Sequence, residues 1–297
     1  MAFRVGVAGW DYADWAGPVY PSAEAPRMDR LAFLSRYVDV IEINSTFYRP
    51  ASPQAARSWL RRTPPALSFT AKVHRSITHE RPAPSAVALA PTLDGLRPIA
   101  DAGRLLGLLV QFPHRFRFDE TARARLGALA ESLVGWPWVV EVRHADWHRA
   151  EAVDWLGRLG AGWCVVDQPQ LDTTARATPR ALGSLGYLRL HGRNAANWFR
   201  EDAGRDARYD YLYAGDEIDE MADVARAIAE HAEEVVIVQN NHFRGQALVN
   251  ALQLKHRLNG ARPAAPETIV DAYPALESEV RVERLRLFGR GEDGRSG

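Results

Sequence analysis

Five short stretches of this chain place polar or charged residues within otherwise aliphatic runs and crowd them toward the C-terminal end: Val40-Ile41-Glu42-Ile43-Asn44, Phe69-Thr70-Ala71-Lys72, Val140-Glu141-Val142-Arg143, Cys164-Val165-Val166-Asp167 and Leu188-Arg189-Leu190-His191. Successive side chains of a β-strand point to opposite faces, so each run shows one aliphatic face and one face ending in ionisable groups. An open parallel sheet covered by helices on both sides would read apolar throughout its central strands. A closed sheet with a polar layer at one end of its interior accommodates the pattern.

Strand-like runs recur at residues 3–9, 38–43, 67–73, 107–112, 138–143, 162–167, 186–191 and 235–240. Helix signals lie between them. Ser52 followed by Pro53 opens a helix to Arg62, and Asp119 caps one over Glu120 to Leu133. Ala222, Ala225, Ile228 and Ala229 mark a helical stripe in 217–231, and a helix from Gln246 to Leu258 stops at Gly260. Strands alternating with helices imply parallel pairing and right-handed crossovers. The expected fold is therefore α/β, a (β/α)8 TIM-like barrel over residues 1–260. Residues 261–297 form a C-terminal extension, partly packed on the barrel, in which Val280 to Leu287 alternates like an edge strand before a frayed end.

With this parity Ile41, Ile43, Phe69, Ala71, Leu108, Val110, Val140, Val142, Leu188 and Leu190 face the outer helices. Glu42, Asn44, Ser68, Thr70, Lys72, Gln111, Glu141, Arg143, Asp167, Arg189 and His191 point inward. The strand C-termini of such a barrel form its reactive face. Three cations there (Lys72, Arg143, Arg189) meet three anions (Glu42, Glu141, Asp167), and burial requires most of them to pair. Glu42 with Lys72, and Glu141 with Arg143 or Arg189, could form a purely structural network. Asn44, Gln111, His191, Asn240 and Asn241 exceed what such a network needs, which favours a site.

The candidate catalytic residues are Glu42, Lys72, Glu141, Asp167 and His191. Glu42 and Glu141 could act as general acid and base, with the basic neighbours holding one ionised. His191 beside Arg189 could shuttle a proton or meet a substrate oxygen. A depressed pKa would let Lys72 form a Schiff base. The candidate substrate-binding residues are Trp10, Asn44, Tyr48, Gln111, Arg143, Arg189, Asn240, Asn241 and His242. Arg143, Arg189 and Lys72 together suit an anionic ligand. A divalent metal on Glu42, Glu141, Asp167, His191 and His242 is the rival chemistry, with the interleaved cations competing for its carboxylates.

Aromatic residues crowd the loops after the strands: Trp10, Tyr12, Trp15 and Tyr20, then Phe47 and Tyr48, Trp147, Trp198 and Phe199. A rim of this kind stacks sugar or base rings. Residues 74–93 and 192–215 are long enough for lids over the mouth.

A net charge of zero argues against a broad grip on nucleic acid or anionic membrane. One cysteine, Cys164, excludes a disulfide framework and suits a reducing cytoplasm. No leader or membrane-spanning run is expected. There is no Gly-rich dinucleotide fingerprint after the first strand and no Walker motif, so no organic cofactor is expected.

Gly6-Val7-Ala8-Gly9-Trp10 with Trp15, Gly17 and Tyr20-Pro21, followed by Glu42-Ile43-Asn44-Ser45-Thr46-Phe47-Tyr48, resembles the signature of the YecE-like family, domain of unknown function 72. The segments Phe69 to Lys72, Leu109 to Pro113, Glu141 to His144, Tyr187 to Arg193 and Asn240 to Ala247 extend the resemblance to about residue 258. Ala8 stands where serine is common in the family. The resemblance implies a one-domain TIM-like barrel and carries no reaction with it. The leading functional expectation is an enzyme using acid/base chemistry on a small anionic or sugar-like metabolite. The alternatives are a noncatalytic binder of a phosphorylated metabolite or nucleic-acid end, and a metal-dependent isomerase or endonuclease-like hydrolase.

Overall fold

A computed structural model describes residues 2–22, 27–80, 86–170, 174, 177–198, 200 and 205–284. Eight parallel strands close into a barrel in sequence order: β1 (Ala2–Ala8), β2 (Val40–Ile43), β3 (Ser68–Lys72), β4 (Leu105–Gln111), β5 (Trp138–Glu141), β6 (Gly162–Asp167), β7 (Leu185–Leu190) and β8 (Glu234–Gln239). Closure comes from β8, which pairs with β7 through Leu188↔Ile237 and with β1 through Val5↔Ile237. The expected (β/α)8 TIM-like barrel is the observed fold, with every expected strand present and its ends shifted by two residues or fewer.

Helices surround the barrel: α1 (Arg30–Leu34), α2 (Pro53–Arg62), α3 (Ala90–Asp101), α4 (Glu120–Ser132), α5 (Ala150–Arg158), α6 (Gly215–Ala229) and α7 (Gln246–Asn259). Their starts follow from local chemistry. The Ser52 hydroxyl accepts from the Ala55 amide with Pro53 in the first turn, and the Asp119 carboxylate accepts from the Ala122 amide. Gly260 at φ 70° ends α7, a conformation that costs glycine no Cβ clash. The regular alternation lapses once. Among the described residues between β6 and β7 there is no helix.

Two apolar layers follow from strand parity. Val5, Val7, Ile41, Phe69, Leu108, Val140, Val165, Leu188 and Ile237 face the helices and join their apolar sides. Ala8, Val40, Leu109, Val139, Cys164, Val166, Tyr187, Val236 and Val238 fill the barrel interior. Cys164 is a free, buried thiol within this inner layer. Gly6 permits the tight contact of β1 with β2, because a Cβ there would lie 1.7 Å from the Val40 carbonyl oxygen.

After α7 the chain forms β9 (Ala264–Pro266), α8 (Glu267–Ala272) and β10 (Arg281–Glu283), with β9 and β10 paired in parallel. Ala265, Ile269, Leu276 and Val280 bury against the main core, and the Thr268 hydroxyl donates to the Val19 carbonyl at 2.8 Å. The strand expected from Val280 to Leu287 is realised over Arg281–Glu283, and its continuation from residue 285 lies outside the described residues. The expected lid at 74–93 is mostly short helix: Arg75–Thr78, a turn at Ala86–Leu89 and the start of α3, with 81–85 outside the described residues. Among the described residues no helix is long and apolar enough to cross a membrane.

Candidate active site at the barrel mouth

Arg189, near the C-terminal end of β7, is buried and reaches two carboxylates. Its Nη2 donates to Glu42 Oε1 of β2 at 2.7 Å, and its Nη1 donates to Glu141 Oε2 of β5. Arg143 Nε donates to the other oxygen of Glu141 at 2.8 Å. The Tyr187 hydroxyl, two residues before Arg189 and on the same inward face, lies 3.0 Å from Glu42 Oε2 and 2.9 Å from Thr70 Oγ1. A carboxylate can only accept, so the tyrosine donates to Glu42 and accepts from the threonine. Two guanidiniums thus meet two carboxylates with formal charge balanced, the condition under which burying them is tolerable.

This lattice fixes protonation states. Burial would raise the Glu141 pKa, but the Arg189 and Arg143 guanidiniums overcome it and hold the carboxyl well below its ordinary range. Glu141 is therefore a permanent anion. His191 is fully buried, with Nε2 at 3.4 Å from Glu141 Oε1 and Nδ1 at 2.8 Å from the Asn240 amide nitrogen. Acceptance by Nδ1 from Asn240 leaves Nε2 as the protonated nitrogen of a neutral ring, which donates to Glu141; Arg143 Nη2 and Arg189 Nη1, at 3.3 and 3.4 Å from the same nitrogen, then make no hydrogen bond to it. Burial and the nearby Arg143 charge push the His191 pKa down to about 3, which agrees with that neutral state.

Lys72, the last residue of β3, stands apart from the lattice. Because Arg189 has taken Glu42, the expected Glu42–Lys72 pair does not form, and among the described residues Lys72 Nζ has no ion-pair or hydrogen-bond partner. The ammonium sits over the face of Phe47, 3.9 Å from Nζ to the ring centroid. Burial and then the Arg189 charge push the Lys72 pKa down to about 7, against the pull of Glu141 and Glu42.

Lys72 and Arg189 open into a cavity of about 390 Å³ at the C-terminal face, lined also by Trp10, Asn44, Gln111, Asn240, His242 and Tyr48. Gly9, at φ 81°, turns the chain out of β1 so that Trp10 and Tyr12 enter the rim. Trp10 is held edge-on by Trp59, with ring centroids 5.7 Å apart. Tyr12 stacks on His242 at 4.5 Å and 10°, which orients the imidazole. Tyr48 is exposed at the rim.

Of the fourteen candidate residues named from the sequence, eight line one cavity: Trp10, Asn44, Tyr48, Lys72, Gln111, Arg189, Asn240 and His242; Glu42 lies beneath it, bound to Arg189. Glu141, Arg143 and His191 sit behind that pair. The expected inward placement of Asp167 is corrected, and the substrate-binding candidate Asn241 also lies away from the cavity. Asp167 follows Val166 of the inner layer and so turns outward, where its carboxylate accepts from Arg193 Nε at 3.0 Å and the Tyr213 hydroxyl at 2.6 Å. Asn241 likewise turns outward, donating to Asn250 Oδ1 of α7 and the Tyr211 carbonyl, each at 2.8 Å.

Tyr187 and Tyr209 were not among the sequence candidates. Tyr187 carried a readable signal, its inward parity with Arg189. Tyr209 carried none. It belongs to the irregular segment after β7, where Trp198 packs 5.9 Å from His191 and Tyr209 packs 5.1 Å from His242. From this segment Tyr209 lines the cavity, while 199 and 201–204 of the lid expected over 192–215 lie outside the described residues.

The metal donor set does not assemble. Glu42 and Glu141 are engaged by guanidiniums and Asp167 faces away, and among the described residues no three His, Cys, Asp or Glu side chains converge on one point. The anionic clamp is also altered, since the charges of Arg143 and Arg189 are already balanced by Glu42 and Glu141.

Comparison with known proteins places this architecture among relatives. The chain is 25% identical over 272 residues to the UPF0759 protein YunF of Bacillus subtilis, covering 86% of this chain and 94% of that one. A crystal structure of a DUF72 family protein from Thermotoga maritima superposes with a TM-score of 0.77 at 31% identity, over 87% of this chain and 100% of that one. One from Enterococcus faecalis gives 0.77 at 24% identity, over 86% and 95%, and shares the fold. The family model described as a protein of unknown function, DUF72, matches residues 4–272, and the chain belongs to that family.

Proposed function

We propose that the cavity is the active site of an enzyme that transfers protons on a small, neutral or weakly anionic, sugar-like metabolite, with Lys72 as the proton-accepting group. The observation that carries this reading is the unpaired Lys72 amine opening into a polar cavity, with its pKa pushed down to about 7. A general base works best with a pKa near the working pH. Glu42 and Glu141 are poorer candidates than the sequence implied, because their oxygens are engaged by arginine and tyrosine donors. In this reading they hold Arg189 rigid and tune Lys72.

Asn44, Gln111 and Asn240 offer amide donors and acceptors for hydroxyl groups, while Trp10 and Tyr12 offer flat apolar faces for the C–H side of a sugar. With both arginine charges balanced, a highly charged ligand gains less than a polyhydroxylated one. The protein would act in the cytoplasm, in keeping with its lone free thiol.

The test is to screen small sugars, sugar acids and sugar phosphates for ligand-induced thermal stabilisation, then follow each hit for conversion by NMR. We expect conversion whose rate rises with pH through about 7, and a Lys72→Met variant that loses at least tenfold in rate and the inflection with it. A ligand that binds Lys72→Met and wild type equally, and is returned unchanged by both, would remove the reading.

A further inference from the structure

Of the 37 Lys and Arg residues in this chain only two, Lys72 and Lys255, are lysines. Everywhere else a cation is needed, for surface pairs, backbone capping and the buried lattice, the chain uses arginine. Lys255 has an evident structural task at the other end of the barrel, where its Nζ bonds Asp39 at 2.8 Å and the Tyr37 carbonyl at 3.2 Å. Lys72 has no such task. It makes no ion pair or hydrogen bond through Nζ among the described residues, yet it occupies the cavity wall.

Chemistry separates the two basic side chains at such a position. Arginine holds its charge at any physiological pH and is a poor nucleophile, whereas a lysine amine can lose its proton and attack carbon. A pocket needing only positive charge would be served by arginine, as Arg189 beside it demonstrates. Burial of the amine in the pocket wall and the Arg189 charge nearby both disfavour its protonated form, and prevail over the attraction of the Phe47 face for the cation, which leaves a lone pair available.

Building on the proton-transfer reading, we infer that Lys72 is a covalent nucleophile that condenses with the carbonyl group of an open-chain hydroxyaldehyde or hydroxyketone. The neutral Nζ attacks the carbonyl carbon and a C–N bond forms. The carbonyl oxygen then departs as water carrying the two amine protons, leaving an imine, which takes one proton from solvent to become the iminium. Asn44, Gln111 and Asn240 hold the hydroxyl groups flanking that carbon, and the rings of Trp10 and Tyr12 cover the chain. The stacked Tyr12–His242 pair supplies a further, fixed part of the cavity wall.

The small lysine count makes the test direct. The 297-residue chain is incubated with glycolaldehyde, dihydroxyacetone or dihydroxyacetone phosphate and treated with sodium borohydride, which reduces an imine to a stable secondary amine. Intact mass and peptide mapping then locate the adduct. We expect it on Lys72 in wild type and in Lys255→Arg, at least tenfold over Lys255 and the terminal amine, and its loss in Lys72→Arg, which keeps the charge. Calorimetric titration of the same probes, without borohydride, into wild type and Lys72→Met runs alongside. Lys72-dependent binding without an adduct overturns the imine and leaves the proton-transfer reading standing. Neither binding nor adduct overturns both. Because the map of wild type and Lys255→Arg decides the site of labelling, the result does not depend on Lys72→Arg folding.

Discussion

Arg189 and Glu42, separated by 147 residues in sequence, meet at 2.7 Å across the barrel interior, and this pair is what leaves Lys72 without a carboxylate. Glu42 and Lys72 lie on neighbouring strands and would pair if the arginine were shorter or absent. The fork of the guanidinium engages Glu42 and Glu141 together, which a single ammonium cannot do with the same geometry.

Removing the centre of that lattice should be costly. Arg189→Met leaves buried Glu42 without a guanidinium and Glu141 with Arg143 alone, and should destabilise the protein by about 3–5 kcal/mol, read as a lowered urea midpoint. If Lys72 swings to Glu42 in the variant, its pKa should climb back toward 10.5, measurable by the pH dependence of its acylation rate.

The Lys72 pKa also shapes stability against pH. A lysine whose folded pKa is about 7 and whose ordinary value is 10.5 binds fewer protons folded than unfolded between those limits, so stability should rise with pH across that window. One such proton contributes up to about 1.4 kcal/mol per pH unit. The difference between the wild-type and Lys72→Met profiles should isolate this slope; parallel profiles would show an ordinary lysine.

On the acid side Glu141 behaves oppositely. Burial opposes its charge but Arg189 and Arg143 prevail, so its folded pKa lies well below 4.5, and the stability it contributes is present above 4.5 and lost as pH falls toward the folded value. Glu141→Gln should be less stable at neutral pH and should lose less on acidification from pH 4.5 than wild type does, as followed by thermal melts at stepped pH.

Tyr187→Phe deletes one donor to Glu42 and leaves the ring packed. The expected cost is about 1–2 kcal/mol, with no change in the position of a borohydride-trapped adduct. A loss of stability above that range would mean that the phenol does more than supply one hydrogen bond to Glu42.

Asp167→Asn probes the corrected residue. It removes an anion that holds Arg193 and Tyr213 on the outer side of β6, so we expect faster proteolysis between β7 and α6 and a stability loss of about 1–3 kcal/mol, with Lys72 reactivity retained.

The barrel was legible because several of its strands carry sidedness and helix signals separate them. Glu42 flanked by Ile41 and Ile43, and Arg189 flanked by Leu188 and Leu190, leave one parity that buries the aliphatic residues under helices. The run Gly162 to Val166 is apolar on both faces and offers no such anchor, which is why Asp167 was assigned to the wrong side. Its true partners, Arg193 and Tyr213, arrive from 26 and 46 residues later, beyond any local pattern. Lys72 was identified as a site residue, but its isolation was not, because which carboxylate an arginine will claim depends on distances across the interior. The pocket role of Tyr209 was invisible for a related reason: an irregular segment has no period from which a side chain's direction follows.

Cys164 has a consequence of its own. As the sole thiol, enclosed by β-strands on every side with burial pushing its pKa well up, it is shielded from alkylating reagents while the barrel is intact. Loosening of outer helices or rim loops leaves it covered; only parting of the strands uncovers it. The chain therefore carries a built-in clock for the opening of its sheet, and the rate at which an alkylating reagent modifies Cys164 times that event alone.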